Sequence, residues 1–161
     1  MFAPKVISCR LPRDSRLWDR VSGSHFLDCY SVHSDMGARA AGEVIVGFPG
    51  WVRMLLSMRR VLTTPLGLSN DGPPAEDKLG PFPVEMETDT EVIAGFDDWH
   101  LEFRVAVLSR DNRVYLATWV APHNLFGRAY LRAIMPFHIL VARDALRRVA
   151  AGRSSGTVAA A

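Results

Sequence analysis

Residues 25–34 alternate in polarity. Phe26, Asp28, Tyr30 and Val32 fall on one side of an extended strand, and Leu27, Cys29 and Ser31 on the other. The period then lengthens. Asp35 stands where an N-cap would start a short helix over residues 36–46, and Phe48-Pro49-Gly50 breaks the chain. A second helix over residues 51–62 carries Trp51, Met54, Leu55, Met58 and Leu62 on one stripe. Val52 and Leu56 widen it, so burial is expected over more than half of its circumference. Residues 63–83, rich in Pro and Gly, form a loop that separates two unlike halves. Extended segments follow at residues 84–88, 91–96, 99–109 and 113–121. In the third, Trp99, Leu101, Phe103, Val105 and Val107 alternate with His100, Glu102 and Arg104, which predicts one packed face and one wet face. Asp111-Asn112 supplies the chemistry of a tight hairpin turn.

The chain closes with a long helix over residues 122–148. Asn124 is its expected N-cap, and Gly127, in the first turn, allows a neighbouring element to approach closely. Phe126, Tyr130, Ala133, Ile134, Phe137, Leu140 and Val141 follow helical spacing as a buried stripe. Arg128, Arg132, Arg143 and Arg147 flank it, and Pro136 bends the helix from inside. The expected fold is α+β: a curved antiparallel sheet wrapped around the long C-terminal helix, with two shorter helices after the first strand. This order resembles the helix-grip arrangement of START-related and pollen-allergen-like proteins, with fewer strands than the seven usual there. Residues 1–150 are expected to form a single such domain, and residues 151–161 a disordered or frayed tail.

Composition narrows the class. A chain of 161 residues, 48% hydrophobic and 22% charged, suits one soluble domain with its own core. No apolar run of leader length opens it, and nowhere do eighteen uncharged apolar residues stand together, so a cytoplasmic location is expected. Cys9 and Cys29 lack a CxxC spacing and read as reduced, half-buried thiols, pointing to neither a disulfide framework nor a zinc site. The net charge of +2 hides an asymmetry: residues 71–98 hold nine acids against one Lys, residues 122–153 six Arg against one Asp. Either the basic helix faces phosphates or an anionic membrane, or the two sets are solvated faces that partly neutralise each other.

The usual constellations of catalysis are missing from the sequence: no GxGxxG, P-loop or GxSxG occurs. His123 and His138 would lie about 22 Å apart along a helix, and His25 and His33 about 26 Å apart along a strand, too far to share one metal ion. Glu85, Glu87, Asp89 and Glu91 alternate like acid/base carboxylates, or like an exposed acidic ladder opposite Arg104 or Arg113. His123, Asn124, Arg128 and Tyr130, with Thr118 and Trp119 of the last strand, are placed to line one end of a cavity. The alternative keeps His123 as a loop residue, Arg128 as a surface cation and Tyr130 as core packing with a bonded hydroxyl.

The stretch "TWVAPHNLFGRAYLRAIMPFHILVARDALRR" carries W-V, H-N, G-R-x-Y and P-F-H in a register similar to the C-terminal signature of a bacterial family catalogued as a domain of unknown function, number 2867. "HFLDCYSV" and the Trp-containing helix that ends in Arg59-Arg60 also resemble that family, so the likeness covers most of residues 24–150. Ile139 follows P-F-H where the family often has a basic residue, which argues against phosphate binding at that turn. The resemblance implies no activity.

The reading these observations favour is a pocket for a small apolar ligand, lipid or polyketide-like, between sheet and C-terminal helix. Trp51, Met54, Met58, Phe103, Trp119, His123, Arg128, Tyr130 and Phe137 would line it, with no cofactor. Two alternatives remain open: a cyclase- or hydrolase-like enzyme using His123 and Tyr130 in the same cavity, or an interaction module resting its Arg-rich helix on a protein or membrane surface. Nucleic acid is not an expected partner, and the oligomeric state is not set by the sequence.

Overall fold

The computed structural model describes residues 4–68 and 72–156. Seven antiparallel strands form one sheet: β1 (Ile7–Ser8), β2 (Phe26–His33), β3 (Lys78–Leu79), β4 (Phe82–Glu87), β5 (Glu91–Asp97), β6 (Leu101–Arg110) and β7 (Arg113–Pro122). Their order across the sheet is β1-β2-β7-β6-β5-β4-β3. Helices α1 (Ala38–Val46) and α2 (Gly50–Thr63) follow β2, and α3 (Leu125–Gly156) closes the described chain. This is the α+β, helix-grip-like arrangement expected from the element order. The two strands the sequence concealed, β1 and β3, are two residues long. Residues 69–71 of the expected loop and 157–161 of the expected tail lie outside the described residues, and α3 runs to Gly156, inside the stretch read as tail.

Local chemistry accounts for the joints. Asp111 and Asn112 both take positive φ, 49° and 55°, the left-handed pair that a two-residue turn needs to match the twist of its strands. β6 and β7 therefore pair without slippage from Arg110↔Arg113 to Leu101↔Pro122. At α1 the cap is Gly37 rather than Asp35, and it makes no side-chain cap hydrogen bond. The other end of α1 is held from outside. Arg148 of α3 donates to the carbonyls of Val44 (2.6 Å), Gly47 (2.9 Å) and Ile45 (3.3 Å), placing a cation where the helix dipole is negative.

One face of the sheet packs on α1 and α3. Tyr30, Val32, Val107, Val114 and Leu116 meet Ala41 and Ile45 of α1 and Ala142, Ala145, Leu146 and Val149 of α3. The opposite face was expected to be wet, and it is not. A strap over residues 9–21, with a 3-10 turn at Arg16–Arg20, lays Leu11, Leu17 and Val21 against Cys29, Ile93, Ala106, Leu108, Ala117 and Trp119. The strap is tied down by Ser15, whose hydroxyl donates to Glu91 at 2.5 Å while accepting from the amide of Leu17 at 3.2 Å. Glu91 is thus buried rather than part of an exposed ladder. Arg104 is also buried under this layer. It donates to Glu85 at 2.7 Å and to Asp97 at 3.0 Å, while Arg20 pairs with Glu85 and Arg39 with Asp77 and Glu87, so these groups of the acidic segment and its cover neutralise one another without drawing on α3.

The expected stripes of α2 and α3 are corrected in part. Only Val52 and Thr63 of α2 are buried, while Trp51, Met54, Leu56, Met58, Val61 and Leu62 are exposed. In α3, over residues 125–152, the buried positions are Gly127, Ala142, Ala145, Leu146 and Val149, and Phe126, Ala133, Phe137 and Leu140 are exposed. Periodicity located the helices correctly but placed too much of their apolar surface in the core. By length and composition Leu125–Gly152 would suffice to cross a bilayer; its second half, however, is built into the core against the sheet.

Candidate functional site

The start of α3 is stapled to the corner that precedes β6. Oδ1 of Asn124 accepts from the amide of Gly127 at 2.9 Å, the N-cap bond its side chain was expected to make. The amide of His123 donates to the carbonyl of His100 at 2.9 Å, and Nδ2 of Asn124 donates to the carbonyl of Trp99 at 3.3 Å. Gly127 presses against the same His100 carbonyl, which a Cβ at this position would strike. The close approach inferred for Gly127 is therefore present, and its partner is His100.

An aromatic cluster grows from this staple. Phe126 stacks on Trp99 with centroids 5.1 Å apart, and Tyr130 meets the His100 ring edge-on at 5.0 Å. From α2, Nε of Arg59 donates to the Tyr130 hydroxyl, and its guanidinium lies over the Tyr130 ring at 5.6 Å. His100 was expected on a wet face but is 2% exposed, and neither ring nitrogen has a hydrogen-bond partner among the described residues. Burial pushes its pKa down; the Asp98 carboxylate, 3.7 Å from Nδ1, opposes that shift, and Arg59 and His123 reinforce it. The uncharged imidazole is thus the form this pocket holds.

A second polar cluster lies under the middle of α3. Nε2 of His138 is 2.9 Å from Oδ2 of Asp28, which projects from the helix-facing side of β2, and Phe26 sets its ring edge against His138 at 6.3 Å. Oδ1 of Asp28 is buried without a hydrogen-bond partner among the described residues. One pair of residues along β2, Tyr30 lies beneath the Arg143 guanidinium, 5.5 Å from the ring centroid. Burial and the Asp28 charge raise the Tyr30 phenol, while Arg143 lowers it. The stretches "HFLDCYSV" and P-F-H, 110 residues apart, meet at this contact.

Of the residues expected to line a pocket, Trp51, Met54 and Met58 are exposed on α2, the helix whose Arg59 reaches Tyr130. At about 3.6 residues per turn, Phe137 shares the Tyr130 side of α3 and is 53% exposed. Phe103 lies half-buried on the helix-facing side of the sheet, between Phe96 (4.9 Å) and Phe82 (5.3 Å). The other three go elsewhere. Trp119 is 1% exposed on the strap side of the sheet, where its Nε1 donates to His25 at 3.2 Å. Alternation explains it: Thr118, not Trp119, faces α3. His123 is exposed, and Arg128 borders a shallow open groove of about 250 Å³ with Ser24, His25, Phe26, Pro122, Leu131 and Arg132, away from the Tyr130 side. A larger open groove, about 590 Å³, lies on the strap side between Arg16, Asp19, Arg20 and Glu85, Met86, Thr88 and Ile93.

Sequence reasoning missed His100, Arg59 and the Asp28–His138 pair. Asp28 had a visible signal, a carboxylate on an otherwise apolar strand face. His100 had none, since its burial depends on α3 folding back over the corner.

The sequence model of a family described as protein of unknown function (DUF2867) matches residues 20–145. The chain belongs to this family. The match takes in both polar clusters and all of the DUF2867 motifs quoted above, and leaves out β1, nearly all of the strap and the end of α3. No curated protein and no solved structure matched the chain.

Proposed function

We propose that the protein binds a small apolar molecule between α2 and the Tyr130 side of α3. One observation carries the reading. Thirteen large apolar side chains are exposed among the described residues; seven belong to α2 and the turn after it, and four to α3. Scattered exposure of this kind is ordinary, but its concentration on two helices joined at Arg59–Tyr130 is the mark of a surface that is covered in use. Tyr130 and Arg59 supply polar groups at one end of an otherwise apolar wall, the usual composition of a small-molecule site.

Native mass spectrometry of the freshly purified protein, followed by organic extraction, tests this. An adduct of small-molecule mass is expected, with occupancy lowered at least tenfold in Met58→Gln and Phe137→Gln and unchanged in Arg128→Gln. A bare mass, together with failure to bind a fluorescent apolar probe, would overturn it. A second reading, docking on an anionic membrane surface, is favoured by Arg128 and Arg132, whose side chains make no hydrogen bond or ion pair among the described residues. Equal cosedimentation with anionic and neutral liposomes would remove it.

A further inference from the structure

Cys9 and Cys29, read from the sequence as reduced, half-buried thiols, face each other. The β1–β2 register pairs Ile7 with Ser31 and Ser8 with Tyr30, and continuing it one step sets Cys9 opposite Cys29. The amide of Cys9 donates to the carbonyl of Cys29 at 2.9 Å, and the two Sγ atoms are 3.6 Å apart. Directly opposed residues of antiparallel strands have Cα separations of about 4.5–5.5 Å, inside the range of about 4.4–6.8 Å that a disulfide bridges without backbone movement. Both cysteines are free.

We propose that Cys9 and Cys29 are a redox-responsive dithiol that a hydroperoxide closes to a disulfide, fastening the strap to the sheet. The two sulfurs are unequal. Cys9 is partly exposed and is the one an oxidant reaches; Cys29 is buried, and burial together with its neighbour Cys9 raises its thiol pKa. The Cys9 thiolate attacks the outer oxygen of the hydroperoxide, the O–O bond breaks, and the alcohol leaves after taking up a proton, so that Cys9 becomes a sulfenic acid. The Cys29 sulfur then attacks the Cys9 sulfur; its proton goes to the departing hydroxyl, and water leaves as the S–S bond forms. Two thiols and one hydroperoxide thus yield one disulfide, one alcohol and one water, the dithiol being oxidised and the peroxide reduced.

The bond would close a loop containing the whole strap, whose Leu11, Leu17 and Val21 cover the sheet. The full-length reduced chain is titrated with hydrogen peroxide while folded, then unfolded in an alkylating reagent and mapped by mass spectrometry without reduction. The expected product is a Cys9–Cys29 linked peptide, with a rise in Tm on the order of 10 °C that dithiothreitol reverses. In Cys29→Ala, dimedone should trap a sulfenic acid on Cys9, with no rise in Tm. Two thiols that both stay alkylatable in excess peroxide, or oxidation that gives only intermolecular dimers or sulfinic acid, would overturn the proposal.

Discussion

Nε2 of His138 and Oδ2 of Asp28 lie 2.9 Å apart, joining the middle of α3 to β2, although the two residues are 110 positions apart in sequence. Removing His138 leaves a carboxylate half-sheltered beneath the helix with neither oxygen satisfied, since Oδ1 already lacks a partner among the described residues. His138→Leu should therefore lower stability in urea by about 1–3 kcal/mol. Asp28→Leu combined with it should recover part of the loss, giving a coupling energy of about 1–2 kcal/mol. Additive effects would mean that the pair does not interact in solution.

Gly127 offers a test of sign. On helix propensity alone, Gly127→Ala should stabilise α3 by up to about 1 kcal/mol. Contact with the His100 carbonyl demands the opposite, because the added carbon meets backbone that is itself held by the His123 amide. A net loss of about 1–3 kcal/mol is expected from chemical denaturation, and any gain would show that the staple is looser than described.

The buried His100 predicts a pH dependence. Its folded-state pKa is lowered from an unfolded value of about 6.5, so below that value the unfolded chain binds more protons than the native one. Stability contributed by the neutral imidazole is complete above the unfolded pKa and is lost as pH falls from there through the folded pKa. His100→Phe should flatten the denaturation midpoint across that acidic window. If the slope survives the substitution, it belongs to another group.

At the β6–β7 turn, Asn112 holds φ at 55°. Glycine takes this conformation without a Cβ penalty and is the preferred second residue of such turns. Asn112→Gly should raise stability by about 0.5 kcal/mol, read as a higher denaturation midpoint with an unchanged slope.

Alternation and turn chemistry made most of the sheet legible: β2, β5, β6, β7 and the Asp111-Asn112 hairpin follow from period two and one dipeptide. β1 and β3 were hidden because two residues carry no period. The strap was hidden for another reason, since Leu11, Leu17 and Val21 are irregularly spaced and their role depends on where the chain turns, not on how it repeats. For the site, the contrast between Tyr130 and Trp119 is instructive. Helical spacing set Tyr130 on one stripe of α3 without showing that Arg59 of α2 meets it; Trp119 follows Thr118 by one residue, and one residue along a strand is the difference between two faces of a sheet.

The strand order carries a consequence for how the molecule assembles. β4 to β7 form a meander in which each strand pairs with its neighbour in sequence, so every closure in it is short. Setting β2 beside β7 instead requires closing a loop of at least 80 residues, the separation of His33 from its partner Arg113. The meander has the smaller entropy cost, and docking of β2 is the non-local step that slows folding. Until that step is complete, β7 presents an unpaired edge of ten residues, and aggregation during refolding should begin there.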